Sequence, residues 1–172
     1  SYLAYSNKTT QAWRPALSRF RRTFIWAKDR YVLVLDDIRS TKPADITWLI
    51  QSGDVEVRDA GQGLYRLRKG TAACEFQLAA DAAFSGTVTN STADNRNVLL
   101  GWKQLRAVVP AAGAVRFASV YDLWNRGSMT VALAPSGTNQ WTVTVNGTGV
   151  NDIWTWQASS GGFVPSTLSA AH

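Results

Sequence analysis

Arginines grouped on one short predicted hairpin are the most promising binding groups in this sequence. Arg58, Arg66 and Arg68 lie on either side of Gly61-Gln62-Gly63, within two segments that alternate between apolar and polar residues. A guanidinium group is planar and donates two parallel hydrogen bonds to a carboxylate or a sulfate. We therefore interpret these arginines as candidate contacts for an acidic ligand, together with Lys69 and with the basic group Arg19, Arg21 and Arg22. The alternative is that they cover an ordinary solvated strand face.

Two tryptophans form a second candidate site, one that would recognise sugars. Trp154 and Trp156 are two residues apart, so they lie on the same face of a strand. Such a pair predicts a flat platform for stacking on a carbohydrate ring. Tryptophan is also common in the cores of β-sandwiches, because it buries a large area. Core packing is therefore the alternative for both residues.

Groups for acid–base or metal chemistry are scarce in the sequence. Asp36 and Asp37 are adjacent in a predicted strand and point to opposite faces, so they cannot act together on one substrate. We expect one of them to pair with Arg22 or Arg39. The single histidine is His172 and the single cysteine lies in a strand pattern, which leaves no triad and no zinc cage. The sequence predicts no catalytic residue, no metal and no cofactor.

The basic composition suits a polyanion as a partner, although an ordinary solvated surface is the preferred interpretation. The 172 residues carry a formal net charge of +6, but the basic residues are dispersed and no long basic run occurs. No nucleic-acid motif is present, and no apolar run reaches the roughly 20 residues that span a bilayer. We expect neither nucleic acid nor membrane as a partner, and charge alone does not single out an acidic polysaccharide.

Short alternating segments predict an all-β fold. Turn residues recur every 8 to 12 residues or so, as is typical of an antiparallel multi-stranded β-sandwich. We predict about twelve strands in stacked sheets. The predicted strands cover residues 20–27, 31–38, 44–51, 54–60, 64–69, 72–78, 83–89, 97–109, 114–124, 128–134, 140–146 and 151–157.

The hairpin that carries the arginines can be given a register from the pattern. A three-residue loop would place Val57 opposite Leu67 and Glu56 opposite Arg68. This register puts apolar residues on one face and charged residues on the other, as side-chain alternation requires.

The domain organisation is predicted from composition. The polar stretch at 90–97 is the best candidate for a mobile loop or a boundary. We divide the chain into a front β-sandwich portion, 1–90, and a back portion, 91–172, which together form one compact unit. We expect this unit to be a piece of a longer chain.

The segments 21–38 and 47–50 resemble part of the heparinase II/III-like polysaccharide lyases. In both, a strand of arginines and aromatic residues turns at a charged hairpin into an apolar strand. An aspartate and a Trp-Leu strand follow, here Asp36 and Trp48-Leu49. The resemblance is specific over roughly residues 20–52, and elsewhere only the general strand pattern is similar.

This resemblance implies a function and a location. Members of the family join an N-terminal α-helical toroid to a C-terminal β-sandwich region and cleave acidic polysaccharides by β-elimination. Tyrosine and histidine usually share the proton transfers in the family, and this chain has no interior histidine, so no catalytic residue is carried over. We expect a non-catalytic C-terminal β-sandwich portion that supports the toroid, lines the substrate cleft and is inactive alone. It would be secreted or periplasmic in a bacterium. A stand-alone carbohydrate-binding module is the alternative.

Overall fold

Antiparallel strands make up the regular structure throughout the computed structural model, which describes residues 3–6, 13–27, 29–90, 102–124, 129–157 and 162–167. Thirteen strands lie within these ranges, and none of the described residues forms a helix, so no helix long and apolar enough to span a membrane occurs among them. The strands are β1 Leu3–Ser6, β2 Trp13–Pro15, β3 Leu17–Ala27, β4 Tyr31–Ser52, β5 Asp54–Asp59, β6 Leu64–Lys69, β7 Ala72–Ala80, β8 Ser85–Asn90, β9 Lys103–Asp122, β10 Thr130–Gly137, β11 Gln140–Gly147, β12 Val150–Gln157 and β13 Gly162–Thr167.

Two sheets stack to form the sandwich, which confirms the predicted all-β class. The larger sheet has seven strands in the order β3-β4-β9-β7-β6-β5, and β8 pairs with β9. The second sheet has the order β10-β11-β12-β13, while β1 and β2 pair separately. Strand β9 lies in the middle of the larger sheet, between β4 and β7. The division of the chain at residue 90 stays a prediction.

Strands β4 and β9 are longer than predicted, because the gaps between predicted strands at 39–43 and 110–113 are bends within continuous strands. The register between them shifts between Arg39 and Ile46. At the same place Ala111 has a φ of 46° and donates its backbone N–H to the Asp45 carboxylate. A bulged residue in the left-handed region bends a strand without ending its pairing. The two strands therefore bend together.

Each half of the bent pair faces its own core. Tyr31, Leu33 and Leu35 alternate along β4 toward the second sheet, where they pack with Val143 and Trp156. The sequence run there is continuously apolar, but only the face toward the second sheet is fully covered: Val34 is buried on the opposite face, whereas Val32 is half-buried.

A second core lies where the larger sheet curls over itself. Its central members are Phe76 and Leu78 from β7, Phe117 from β9 and Trp48 from the far half of β4. Phe76 stacks between Tyr65 and Tyr121, with ring centroids 5.3 Å from each. This core holds the arginine hairpin against the rest of the sheet.

The predicted register of the arginine hairpin is wrong by two residues. Val55, not Val57, lies opposite Leu67, and Glu56 lies opposite Arg66. The cause is a longer turn over residues 60–63 together with an irregularity at Arg58. Gly63 has a φ of 63°, and a Cβ there would lie 2.2 Å from the Leu78 carbonyl oxygen, so the turn requires glycine. Val55, Tyr65 and Leu67 lie on the core side as predicted, whereas Val57, also expected there, is 47% exposed.

The predicted loop at 90–97 lies, apart from Asn90, outside the described residues. Its mobility stays a prediction.

Candidate functional site

The hairpin arginines lie on one face near the edge of the larger sheet. The outermost of them, Arg58, contacts Glu56 on the same strand at 2.6 Å, and both side chains are exposed. The hydrogen bond from Arg58 lowers the pKa of the Glu56 carboxyl below its usual value. Exposed pairs of this kind contribute little to stability.

The other two hairpin arginines have acidic neighbours across the strands. Arg66 lies between Glu56 on β5 and Glu75 on β7, and Arg68 lies opposite Asp54. Three carboxylates therefore balance three guanidinium groups on this face, whereas the sequence pattern alone indicated only Glu56. The hairpin remains a predicted contact surface, but its local charge is close to neutral.

The structure packs Trp154 and Trp156 into the core between the two sheets. Trp156 is fully buried and lies 6.1 Å from Trp141 between ring centroids. Trp154 is 8% exposed and donates its Nε1 hydrogen to the Tyr31 hydroxyl at 3.0 Å. Neither ring offers a free face to a sugar, which agrees with the alternative of core packing.

A buried polar network fixes Trp154 and joins the two sheets. The Tyr31 hydroxyl donates to the Asp152 carboxylate at 2.6 Å, and Arg30 forms an ion pair with the same carboxylate at 3.0 Å. Burial is the largest cause that raises the pKa of Tyr31 far above its ordinary value, followed by the hydrogen bond to Asp152. Tyr31 is therefore a neutral hydrogen-bond donor and not a proton acceptor.

The paired aspartates have structural partners, as predicted. Arg22 donates two hydrogen bonds to Asp36, at 2.6 and 2.8 Å, and Trp48 donates a third at 3.0 Å. Sequence reasoning offered Arg22 or Arg39 as the partner of one of these aspartates, and Arg22 is the one that pairs with Asp36. It missed Trp48, which approaches only because β4 continues past its bend.

An apolar surface that the sequence analysis did not single out lies on the side of the larger sheet away from the second sheet. Trp26 is 71% exposed, Phe24 is 67% exposed and Leu123 is 53% exposed, and they surround Val32 and Tyr121. We call these five residues the outer apolar face. A signal for it was present in β3, where Phe20, Phe24 and Trp26 share one side of the strand.

The described residues contain no group of three acidic, histidine or cysteine side chains placed to hold a metal ion. Of their tyrosines with a shifted pKa, Tyr65 and Tyr121 resemble Tyr31, since burial raises the pKa of each. Buried tyrosines of this kind are poorly suited to accept a proton.

Comparison with known proteins gives a fold relationship. No protein-family model matches the sequence, and no curated protein matches it by sequence. A solved structure of heparinase III with methylated lysines superposes on 83% of this chain with a TM-score of 0.59 and 13% sequence identity. The aligned part spans 24% of the length of that heparinase III chain. The chain therefore has a heparinase-like β fold.

Proposed function

We propose that this chain is the non-catalytic β-sandwich part of an acidic-polysaccharide lyase and that the catalytic part of the enzyme packs on its outer apolar face. The outer apolar face is the observation that carries the proposal. Full burial of one large apolar side chain contributes about 1.5–3 kcal/mol, and contiguous exposed apolar patches mark interaction surfaces.

The proposed occupant of this face is a helical domain of the same enzyme. The aligned region corresponds to about a quarter of the heparinase III chain, which leaves most of such an enzyme to be supplied by other residues. An ion pair between Arg22 and Asp36 borders the apolar residues and would orient the contact. A secreted or periplasmic location, where acidic polysaccharides are encountered, belongs to this proposal.

The acid–base properties of the named side chains favour a non-catalytic role. β-Elimination needs a base that accepts the C5 proton of the uronate and an acid that protonates the leaving oxygen. Tyr31, Tyr65 and Tyr121 have pKa values raised by burial, and the only histidine of the sequence is His172. None of these three tyrosines is a base tuned to neutral pH.

An activity assay tests the catalytic half of the proposal. The purified chain is incubated with heparin, chondroitin and alginate, and the ultraviolet absorbance of the unsaturated product is followed. We expect no product. Steady product formation that copurifies with the chain would overturn the assignment of a non-catalytic role.

A dye-binding assay tests the docking half. The isolated chain should bind an apolar fluorescent dye, and the double substitution Phe24→Ser and Trp26→Ser should abolish most of the signal. Val57→Ser is the matched control, because Val57 is also exposed but lies on the hairpin. Equal dye signals from the wild type, the double variant and Val57→Ser would show that the outer apolar face does not bind apolar ligands.

A stand-alone carbohydrate-binding module is the second candidate, and one observation favours it. Trp26 exposes enough of its ring to stack on a sugar, unlike Trp154 and Trp156. In that case Trp26→Ala would abolish binding to oligosaccharides without reducing dye binding to the level of the double variant.

A further inference from the structure

A cluster of arginines lies at the edge of the sandwich, where the turn between β10 and β11 meets the end of the β3–β4 hairpin. Arg19 on β3 lies directly opposite Arg39 on β4. Asn139 reaches this pair from the turn of the second sheet. We call Arg19, Arg39 and Asn139 the seam cluster.

One side of the cluster is neutralised by carboxylates. Asp37 is fully buried and accepts hydrogen bonds from Arg19 at 2.9 Å and from Arg116 at 3.1 Å. Arg116 also pairs with Asp81 at 3.3 Å and lies over the Trp141 ring, 4.3 Å from its centroid. Two arginines are thus matched by two aspartates, and this arrangement holds Arg19 in place.

Arg39 is the third arginine, and it has no such match. Among the described residues the only polar partner of its guanidinium group is the Asn139 side-chain oxygen, 3.0 Å from Nη2, and no carboxylate lies within ion-pair distance. The Ser18 hydroxyl donates to the backbone carbonyl of Arg39 and leaves this charge unchanged. Its Nε is buried without a partner. Like charges directly opposite one another destabilise a sheet, and a half-buried guanidinium group without a counter-charge is costly.

Asn139 adds a further donor at the same place. Arginine can only donate, so the amide oxygen of Asn139 faces Arg39 and the amide nitrogen is left to donate to another group. Asn139 has a φ of 56° in the tight turn, and its side chain is exposed. The seam cluster therefore presents donors from two sheets and one uncompensated positive charge.

We propose that the seam cluster binds an oxyanion, a sulfate or a carboxylate, which bridges Arg19 and Arg39 and accepts a hydrogen bond from Asn139. The planar fork of arginine fits either group. That this oxyanion belongs to an acidic polysaccharide rests on the proposed function. The site itself does not, since it is derived from the charges and donors described above.

The first experiment uses inorganic sulfate as the probe. Sulfate is titrated against the chain at constant ionic strength, with chloride as the balancing anion, and backbone NMR shifts are followed. We expect shifts centred on residues 19, 39 and 139. Arg39→Gln should weaken sulfate binding about tenfold, as expected for the loss of one charge-assisted contact.

Arg68→Gln is the matched control, since it removes the same charge from the hairpin and should leave sulfate affinity nearly unchanged. Arg39→Lys keeps the charge but loses the fork, so it should give an intermediate affinity. Near-ultraviolet circular dichroism checks that each variant remains folded. Equal weakening by Arg39→Gln and Arg68→Gln would show diffuse attraction and overturn the site. Unchanged affinity in Arg39→Gln, or no sulfate shifts in the wild type, would overturn it as well.

A second experiment identifies the source of the oxyanion. A heparin hexasaccharide and an unsulfated alginate hexamer are titrated against the wild type and Arg39→Gln. Loss of affinity for heparin alone assigns a sulfate group, and loss for both assigns a carboxylate. Sulfate binding without binding of either oligosaccharide would retain the seam cluster as an oxyanion site and would refute its assignment to a polysaccharide.

Discussion

Three buried aspartates are each matched by arginines that approach from another strand or turn. Asp36 accepts from Arg22, Asp37 from Arg19 and Arg116, and Asp152 from Arg30. An ionised carboxylate is costly to bury unless it is paired and hydrogen-bonded. These pairs therefore determine which strands can lie side by side, in addition to the apolar contacts.

The substitution Asp36→Asn should destabilise the fold markedly. It leaves Arg22 without its counter-charge and weakens the bonds from Arg22 and Trp48. Removing one partner of a buried pair costs about 3–5 kcal/mol, and we expect about 3 kcal/mol because Arg22 is partly exposed. Urea denaturation measures the loss. Glu56→Gln is the control, since its pair with Arg58 is exposed, and it should leave the denaturation midpoint unchanged. Equal effects of the two substitutions would contradict this account.

The thiol of Cys74 should react slowly until the solution is strongly alkaline. Burial, with smaller contributions from Asp122 and Glu75, raises its pKa to about 11. Since only the thiolate is nucleophilic, about one thiol in a thousand is reactive at pH 8. The alkylation rate should keep rising up to about pH 11, whereas the urea-unfolded chain should level off above its ordinary pKa of about 8.5. A plateau near the ordinary value in the folded chain would contradict the prediction.

The raised pKa of Cys74 also predicts the direction in which folding stability changes with pH. Between the unfolded and folded pKa values the native state binds more protons than the unfolded chain, so stability falls as the pH rises. The contribution of Cys74 is complete below its ordinary pKa and is lost as the pH approaches about 11. Cys74→Ser should reduce this alkaline loss in denaturation curves.

At the scale of elements, local pattern predicted most strands but not the two longest. Alternation identified residues 31–38 and 44–51 as separate strands, whereas β4 runs through both. The segment 97–109 was likewise separated from 114–124, although β9 spans Lys103–Asp122. Pro43, Pro110 and Gly113 resemble turn signals in sequence. Pairing along nearly the whole length of β4 and β9 overrides them, and that pairing is a non-local property.

The side-chain pairs also differ in how far apart their residues lie in the sequence. Arg22 was one of two partners expected for the paired aspartates, and only a short hairpin separates it from Asp36. Arg39 and Asn139 are separated by 100 residues and come together only when the two sheets stack. No local pattern predicts which turn of the second sheet will meet the end of β4.

The loss in the free energy of unfolding when a β4 side chain is truncated to alanine should depend on whether that side chain is buried or exposed. Leu33 is fully buried between the sheets, so Leu33→Ala should cost about 2–5 kcal/mol. Leu49 lies on the same strand but is 45% exposed, so Leu49→Ala should cost well under about 1 kcal/mol. Both values come from urea denaturation. A loss for Leu33→Ala as small as the control would show that the sandwich core is not the main source of stability.

At the scale of the whole molecule, the two proposed surfaces lie on opposite sides of the larger sheet. Trp26 and Phe24 project from one face of β3, and Arg19 projects from the other. A partner domain on the outer apolar face would therefore leave the seam cluster accessible. The same molecule can be held by an apolar contact on one side and bind an acidic ligand on the other.

This separation predicts how binding to acidic polysaccharides depends on salt. The net charge of +6 is dispersed, and exposed charges act over about 8–10 Å at physiological ionic strength and about 3 Å at 1 M salt. Heparin oligomers should therefore bind at low salt and dissociate in molar salt. At low salt, Arg39→Gln should weaken heparin binding more than the combined substitution of Arg58, Arg66 and Arg68. Titrations at both ionic strengths, with Trp26→Ala as the comparison, measure this. Stacking on an exposed ring would survive added salt, because it depends on apolar contact. Binding that persists in molar salt and disappears in Trp26→Ala would contradict the electrostatic account and favour the carbohydrate-binding module.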